Sequence, residues 1–243
     1  MSYNKKIQQV KLMHVMEGFL PGPWWQIWFA ISLPVIIYGI YKLNGLIKNK
    51  RDLLPLLAVA GAYIFILSSL KLPSVTGSCS HPTGTGLAAI LFGPAISAVL
   101  GLIVLLYQAL FLAHGGLTTL GANVFSMGIA GPVIAYVIYK ACTKSGLNFY
   151  IAVFLACAFA DLATYVVTSI ELALAFPAQN GGVLTSFKAF ATIFAITHIP
   201  LAIIEGAITV LIFKYVIQIK SDVLVKLDVL SEAGLRKIKE MTT

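Results

Sequence analysis

Six stretches of the sequence, 24–43, 53–70, 94–113, 121–141, 149–176 and 190–217, run for eighteen residues or more with few charges. About twenty apolar residues in a helix span a bilayer core, where no water is present to bond a free backbone N–H or C=O. Each run must therefore pair its own backbone, which selects the α-helix. The predicted fold class is an all-α integral membrane bundle. With 59% hydrophobic and 11% charged residues, the chain lies well outside the range of soluble domains. The formal charge of +8 is strung between the apolar runs and not gathered on one surface, which argues against nucleic acid. No linker or low-complexity run divides the chain, so one membrane domain is expected.

A shorter run, "GTGLAAILFG" at 84–93, meets Gly93-Pro94, a pair that ends or breaks helices. Residues 84–113 are thus either one long span or a short descending helix followed by a full one. Basic residues favour the second. With two passes, Lys42, Lys48, Lys50 and Arg51, then Lys140 and Lys144, then Lys214 with Lys220, Lys226, Arg236, Lys237 and Lys239 all fall on one side. That places twelve of the seventeen Lys and Arg in the cytoplasm, as the positive-inside rule demands. Seven helical elements follow, with the N-terminus outside and the C-terminus inside. Six spans with both ends inside would put the Lys42–Arg51 cluster outside.

In the preferred topology 1–23, 71–83, 114–120 and 177–189 share the outer face, so "KLMHVMEGFLPGPWW" and "LPSVTGSCSHPTGTG" can meet. Each carries a histidine, His14 and His81, among small polar residues, where neutral imidazoles can be aimed at an ion. Were the chain to begin at Met13, its free amine, the His14 amide nitrogen and the His14 imidazole would form two fused chelate rings, with His81 as the fourth nitrogen. Four nitrogens in a plane suit Ni(II) or Cu(II), and a strong field holds Co(II) in the same way. Cys79 is either a further soft ligand or a small residue packed in its loop. Met13 and Met16 could offer thioethers, although methionines beside apolar helices usually pack. Glu17 is read as a carboxylate that orients an imidazole or bonds backbone amides near the turn, and His114 as a hydrogen-bonding loop residue outside the site.

Asp161, Thr164, Thr168 and Glu171 form one helical stripe, and His198, Glu205 and Thr209 another. They are read as bracing the bundle through helix–helix hydrogen bonds; an ion path is the alternative. Ala58 with Ala62, and Ala152, Ala156 and Ala160, have the small-residue spacing of close helix contacts. No HExxH, GxxxxGK[ST] or GxSxG motif is present, so work against a gradient must be powered by another chain. Cys79, Cys142 and Cys157 are too scattered for a disulfide framework.

"MHVMEGFLP" (13–21), "LKLPSVTGSCSHPTGTGLAAILFGP" (70–94) and "HGGLTTLGANVFSMGIAGP" (114–132) together resemble the CbiM type of substrate-binding membrane subunit of energy-coupling-factor cobalt transporters. Nickel-transporting relatives share the N-terminal Met-His and a loop histidine; "GSCSHPTG" is closer to the cobalt branch. The resemblance implies a seven-helix bundle, six helices like those of other substrate-binding subunits plus an extra N-terminal one, with Met13, His14 and His81 holding one Co(II) or Ni(II) as transported substrate. It also implies a transmembrane coupling subunit, cytoplasmic ATP-binding subunits and a small auxiliary membrane subunit as partners, with Ala58 and Ala62 contacting the first. The chain itself would be no enzyme. Residues 1–12 precede the family pattern and are expected to be absent from the mature protein, leaving a metal-binding domain at 13–217 and a basic cytoplasmic tail at 218–243. An intramembrane enzyme built on Asp161 and Glu171 is disfavoured, since ten helical residues separate them by about 15 Å. A purely structural subunit would carry no metal.

Overall fold

The structure, a computed structural model, describes residues 15–70, 72–73 and 79–240, with the backbone alone at 72, 73 and 79. In chain order the helices are α1 (Trp24–Asn49), a 3-10 turn (Arg51–Leu53), α2 (Leu54–Ser69), α3 (Thr85–Phe92), α4 (Pro94–Phe111), α5 (Leu120–Asn123), a π-helical segment (Val124–Ala130), α6 (Gly131–Lys144), α7 (Phe149–Ala175), α8 (Gly182–Lys226) and α9 (Glu232–Glu240). A two-residue antiparallel pairing, β1 (Leu72–Pro73) with β2 (Cys79–Ser80), closes the loop before α3. Among the described residues six helices are long and apolar enough to cross a membrane: α1, Arg51–Ser69, α4, Leu120–Lys144, α7 and α8. The chain is thus a multi-pass, all-α membrane protein. Large apolar side chains such as Ile37, Val59 and Leu211 stay exposed on the bundle exterior, as lipid requires.

The 84–113 run is two helices. Gly93 has φ 83° and ψ 162°, a conformation closed to residues with a Cβ, and Pro94 restarts the chain at the first turn of α4. At 1.5 Å per residue the eight residues of α3 cover about 12 Å, too little to span a bilayer alone. From Thr85 to Leu91 this helix is buried on all sides. It packs Leu87, Ile90 and Leu91 against Tyr139, Phe149 and Val153 at the end of the bundle opposite Ser69.

Helix α8 departs most from its sequence reading. It begins at Gly182, eight residues before the apolar run, and continues past 217 to Lys226 with a kink at Lys220. Below the kink Lys226 pairs with Asp52, and the Lys50 ammonium donates to the Lys226 carbonyl at 2.9 Å. Tyr139 donates its hydroxyl to the Val229 carbonyl at 2.6 Å, and Leu224, Val229 and Ile238 enter the core beneath Phe213. Residues 227–240 therefore cover one end of the bundle. The 15–23 segment lies at the other, where the Phe19 and Phe176 rings meet at 4.9 Å.

Candidate metal-binding site

The β2–α3 loop, the α5–π segment and α7 converge on a cavity of about 10 Å³ lined by His81, Asn123, Ser126, Met127, Thr164, Tyr165 and Thr168. That is about one water-sized sphere, so an ion held here has shed most of its hydration shell. His81 is 2% exposed. Its Nδ1 lies 3.0 Å from the Pro82 carbonyl, which can only accept; Nδ1 therefore carries the proton and Nε2 the lone pair. This is how second contacts orient a ligating imidazole. Tyr165 donates to the His81 carbonyl at 2.7 Å, fixing the residue at its backbone as well.

The N-terminal segment is pinned to the same wall. Asn123 Oδ1 accepts from the Val15 N–H at 2.9 Å, while Asn123 Nδ2 and the Thr119 hydroxyl both donate to the Val15 carbonyl, at 3.1 and 2.5 Å. Two residues further on, the Thr118 amide donates to the Glu17 carboxylate at 3.1 Å and Gly18 N–H donates to the Thr118 hydroxyl at 2.9 Å. A Cβ on Gly116 would fall 2.4 Å from Glu17 Cα, so only glycine permits this approach. The hydrogen bonds from Thr118 hold the Glu17 carboxyl below its ordinary value.

On the inward side, Glu205 of α8 grips the loop that follows His81. Its carboxylate accepts from the Thr83 N–H at 2.6 Å, the Thr83 hydroxyl at 3.0 Å and the Gly84 N–H at 2.9 Å. Asp161 lies beside Glu205, with His198 Nδ1 3.8 Å from its Oδ2, and the His198 ring stacks on Tyr165. Tyr63 and Thr209 share a hydrogen bond at 2.9 Å one turn further along α8. Glu171, on the Thr164–Thr168 face of α7, is wholly buried and accepts no hydrogen bond among the described residues.

Of the residues singled out in the sequence, His81 lines the cavity, whereas Met13, His14 and the Cys79 side chain lie outside the described residues. Met16 does not line the cavity and is 43% exposed. Glu17 bonds a backbone amide, but that of the 114–119 loop. His114, placed outside the site on sequence grounds, is buried with its ring 5.2 Å from that of His81, because its N–H caps the Gln108 carbonyl and turns it inward. Asn123, Thr119 and Met127 lie within the 114–132 motif, but nothing in their residue types singled them out for the site. The two acidic stripes do face each other, yet Glu205 bonds a loop and not a helix. Among the described residues no three His, Cys, Asp or Glu side chains form a metal cluster.

The family described as "Cobalt uptake substrate-specific transmembrane region" matches residues 14–223. A putative cobalt transport protein, CbiM 2, of Methanosarcina barkeri is 65% identical over 231 residues, 93% of this chain and 98% of that one. A cobalt transport protein of Clostridium tetani is 56% identical over 212 residues, 87% of each chain. A crystal structure described as a truncated transition metal transporter superposes with a TM-score of 0.74 at 27% identity, covering 85% of this chain and 99% of that one. Matched over most of its length by the family and by these relatives, the chain belongs to the CbiM family of cobalt-uptake transmembrane proteins.

Proposed function

We propose that this chain is the substrate-specificity subunit of an ATP-driven energy-coupling-factor importer that brings in Co(II) for cobalamin synthesis. The ion is bound from outside by the Met13 amine, the His14 amide and imidazole, and His81 Nε2. The observation that carries this reading is the pinning of Val15 by Asn123 and Thr119, which sets the residue after His14 on the wall of the cavity that holds His81. For the amine to be free, Met13 must be the first residue of the mature chain, with 1–12 absent.

That α2 ends at Ser69 while α3 packs at the Phe149 end of the bundle supports a seventh crossing and hence an outer N-terminus and inner C-terminus. Residues 13–217 then form the binding domain and 218–243 the basic cytoplasmic end. ATP-binding subunits act from that side, and a small auxiliary membrane subunit joins the complex. The coupling subunit docks on the open groove between α2 and α4, where Ala58, Gly61 and Ala62 lie with Leu100 and Tyr107. Ala58 and Ala62 are exposed there, whereas Ala152, Ala156 and Ala160 are spent on the chain's own core. The chain carries out no covalent chemistry itself. Ni(II) in the same site is the second reading, favoured by a planar four-nitrogen donor set.

Uptake of both metals at matched free concentrations, measured in cells holding the complete transporter, tests the proposal. Co(II) uptake should exceed Ni(II) uptake and be abolished by His81→Ala at unchanged membrane level. Preferential Ni(II) uptake selects the second reading; undiminished uptake by His81→Ala removes both. An intact mass retaining residues 1–12 removes the amine from the ligand set.

A further inference from the structure

We infer that Glu205 is a positioning residue for ion capture: its buried carboxylate holds the Thr83–Gly84 turn and thereby sets the His81 imidazole in the cavity. The inference rests on the reading of His81 as a ligand. Glu205 does not line the cavity; it acts through two backbone amides and one hydroxyl.

The geometry is specific for a carboxylate. Thr83 N–H points at Oε2 and Gly84 N–H at Oε1, so both oxygens must accept. Glutamine, the same size, would turn an NH2 toward one of those N–H groups and leave it unpaired in a fully buried place. Packing and one further hydrogen bond, from the Thr85 hydroxyl to that of Thr83 at 3.3 Å, complete the hold on the turn. Gly84 has φ 70°, the left-handed conformation, and sits against Ile64, Tyr63 and Leu67 of α2, while Thr83 is fully buried. Two residues upstream, the His81 carbonyl is held by Tyr165, which in turn stacks on His198 of α8.

Helix α8 thus carries Glu205 against the turn and His198 against Tyr165. The same helix ends in the Lys226–Asp52 pair at the far side of the bundle.

The test uses the mature chain beginning at Met13, purified in detergent and titrated with Co(II) and separately with Ni(II), with the visible absorption of the bound metal recorded. Glu205→Gln should weaken binding roughly ten- to hundredfold, by the cost of one buried unpaired N–H carried into affinity. The spectrum of the remaining bound Ni(II) should also lose its planar low-spin character. Thr209→Val, one turn away on α8, removes the bond to Tyr63 and should bind as the unaltered protein does. A purely structural role for Glu205 would lower the yield and thermal stability yet leave the bound-metal spectrum unchanged. If Glu205→Gln is not recovered from the membrane, Thr83→Val carries the test, since it removes one donor and leaves every helix side chain in place; a several-fold loss of affinity is expected. Unaltered affinity and spectrum in Glu205→Gln, or in Thr83→Val where that is the variant recovered, overturn the inference. His81→Ala run alongside separates the two failures: binding as in the unaltered protein there removes the ligand itself, whereas lost binding there with normal Glu205→Gln removes only the positioning role.

Discussion

Replacing Asn123 with alanine unpins Val15, and the structure sets the size of the effect. Val15 is 1% exposed and its N–H has Asn123 Oδ1 as acceptor at 2.9 Å. Its carbonyl loses the bond at 3.1 Å from Asn123 but keeps the one at 2.5 Å from Thr119. The stranded donor dominates, because a buried N–H without a partner costs about 1–3 kcal/mol while a second bond to a carbonyl contributes about 0.5–1.5 kcal/mol at most. A detached segment cannot present His14, so the cost appears as a smaller binding-competent fraction, and apparent affinity falls in proportion. The range of about 1–3 kcal/mol corresponds to roughly a 5- to 150-fold weaker Kd. Equilibrium dialysis of Co(II) with element analysis reads this directly. Thr119→Val alone should cost only a few-fold. The double variant should lose more than the product of the two, since the Val15 carbonyl then has neither donor. Asn123→Asp separates pinning from ligation, because a carboxylate keeps the acceptor for Val15 N–H but sets an oxygen against the Val15 carbonyl. Weaker binding supports the clamp. Tighter binding would make Asn123 a ligand, and unchanged affinity in Asn123→Ala would refute the argument.

Gly116→Ala should reduce Co(II) affinity more than tenfold, because its methyl would fall 2.4 Å from Glu17 Cα and push the 15–18 segment off the 116–119 loop; dialysis showing normal binding contradicts this. The Glu17–Thr118 bond should depend on pH in one direction. Since the folded-state carboxyl lies below its ordinary value, its contribution is complete at neutral pH and is lost as pH falls through that lowered value. Hydrogen exchange of the Thr118 amide, corrected for intrinsic rate, should show less protection at about pH 3 than at pH 7, given the ordinary carboxylate range; equal protection counts against the clasp.

The spans were legible because bilayer thickness imposes a length that composition alone reveals. The break at Gly93-Pro94 was legible because few other pairs need that backbone. The early start of α8 was not. "GVLTSFKA" reads as a loop, and the helix there is set by the left-handed Gly181 and the Ala178–Gly182 bridge, both features of the folded chain. In the site, His81 could be picked out by residue type and outer-face placement. His114 could not, because a lone histidine in a Gly-rich loop looks the same whether it faces solvent or a second imidazole. Asn123 acts on a residue 108 positions away, a pairing that no local pattern encodes. Glu205 was visible as a costly intramembrane acid, but its partner, a turn beside the outer site, emerges only when the β2–α3 loop is seen to dip into the bundle.

X-ray absorption at the cobalt edge of the loaded mature protein tests the central claim most directly. A nitrogen shell with the multiple-scattering pattern of two imidazoles is the expected result, falling to one imidazole in whatever Co(II) His81→Ala retains. An all-oxygen shell, or a spectrum that His81→Ala leaves unchanged, would contradict the account.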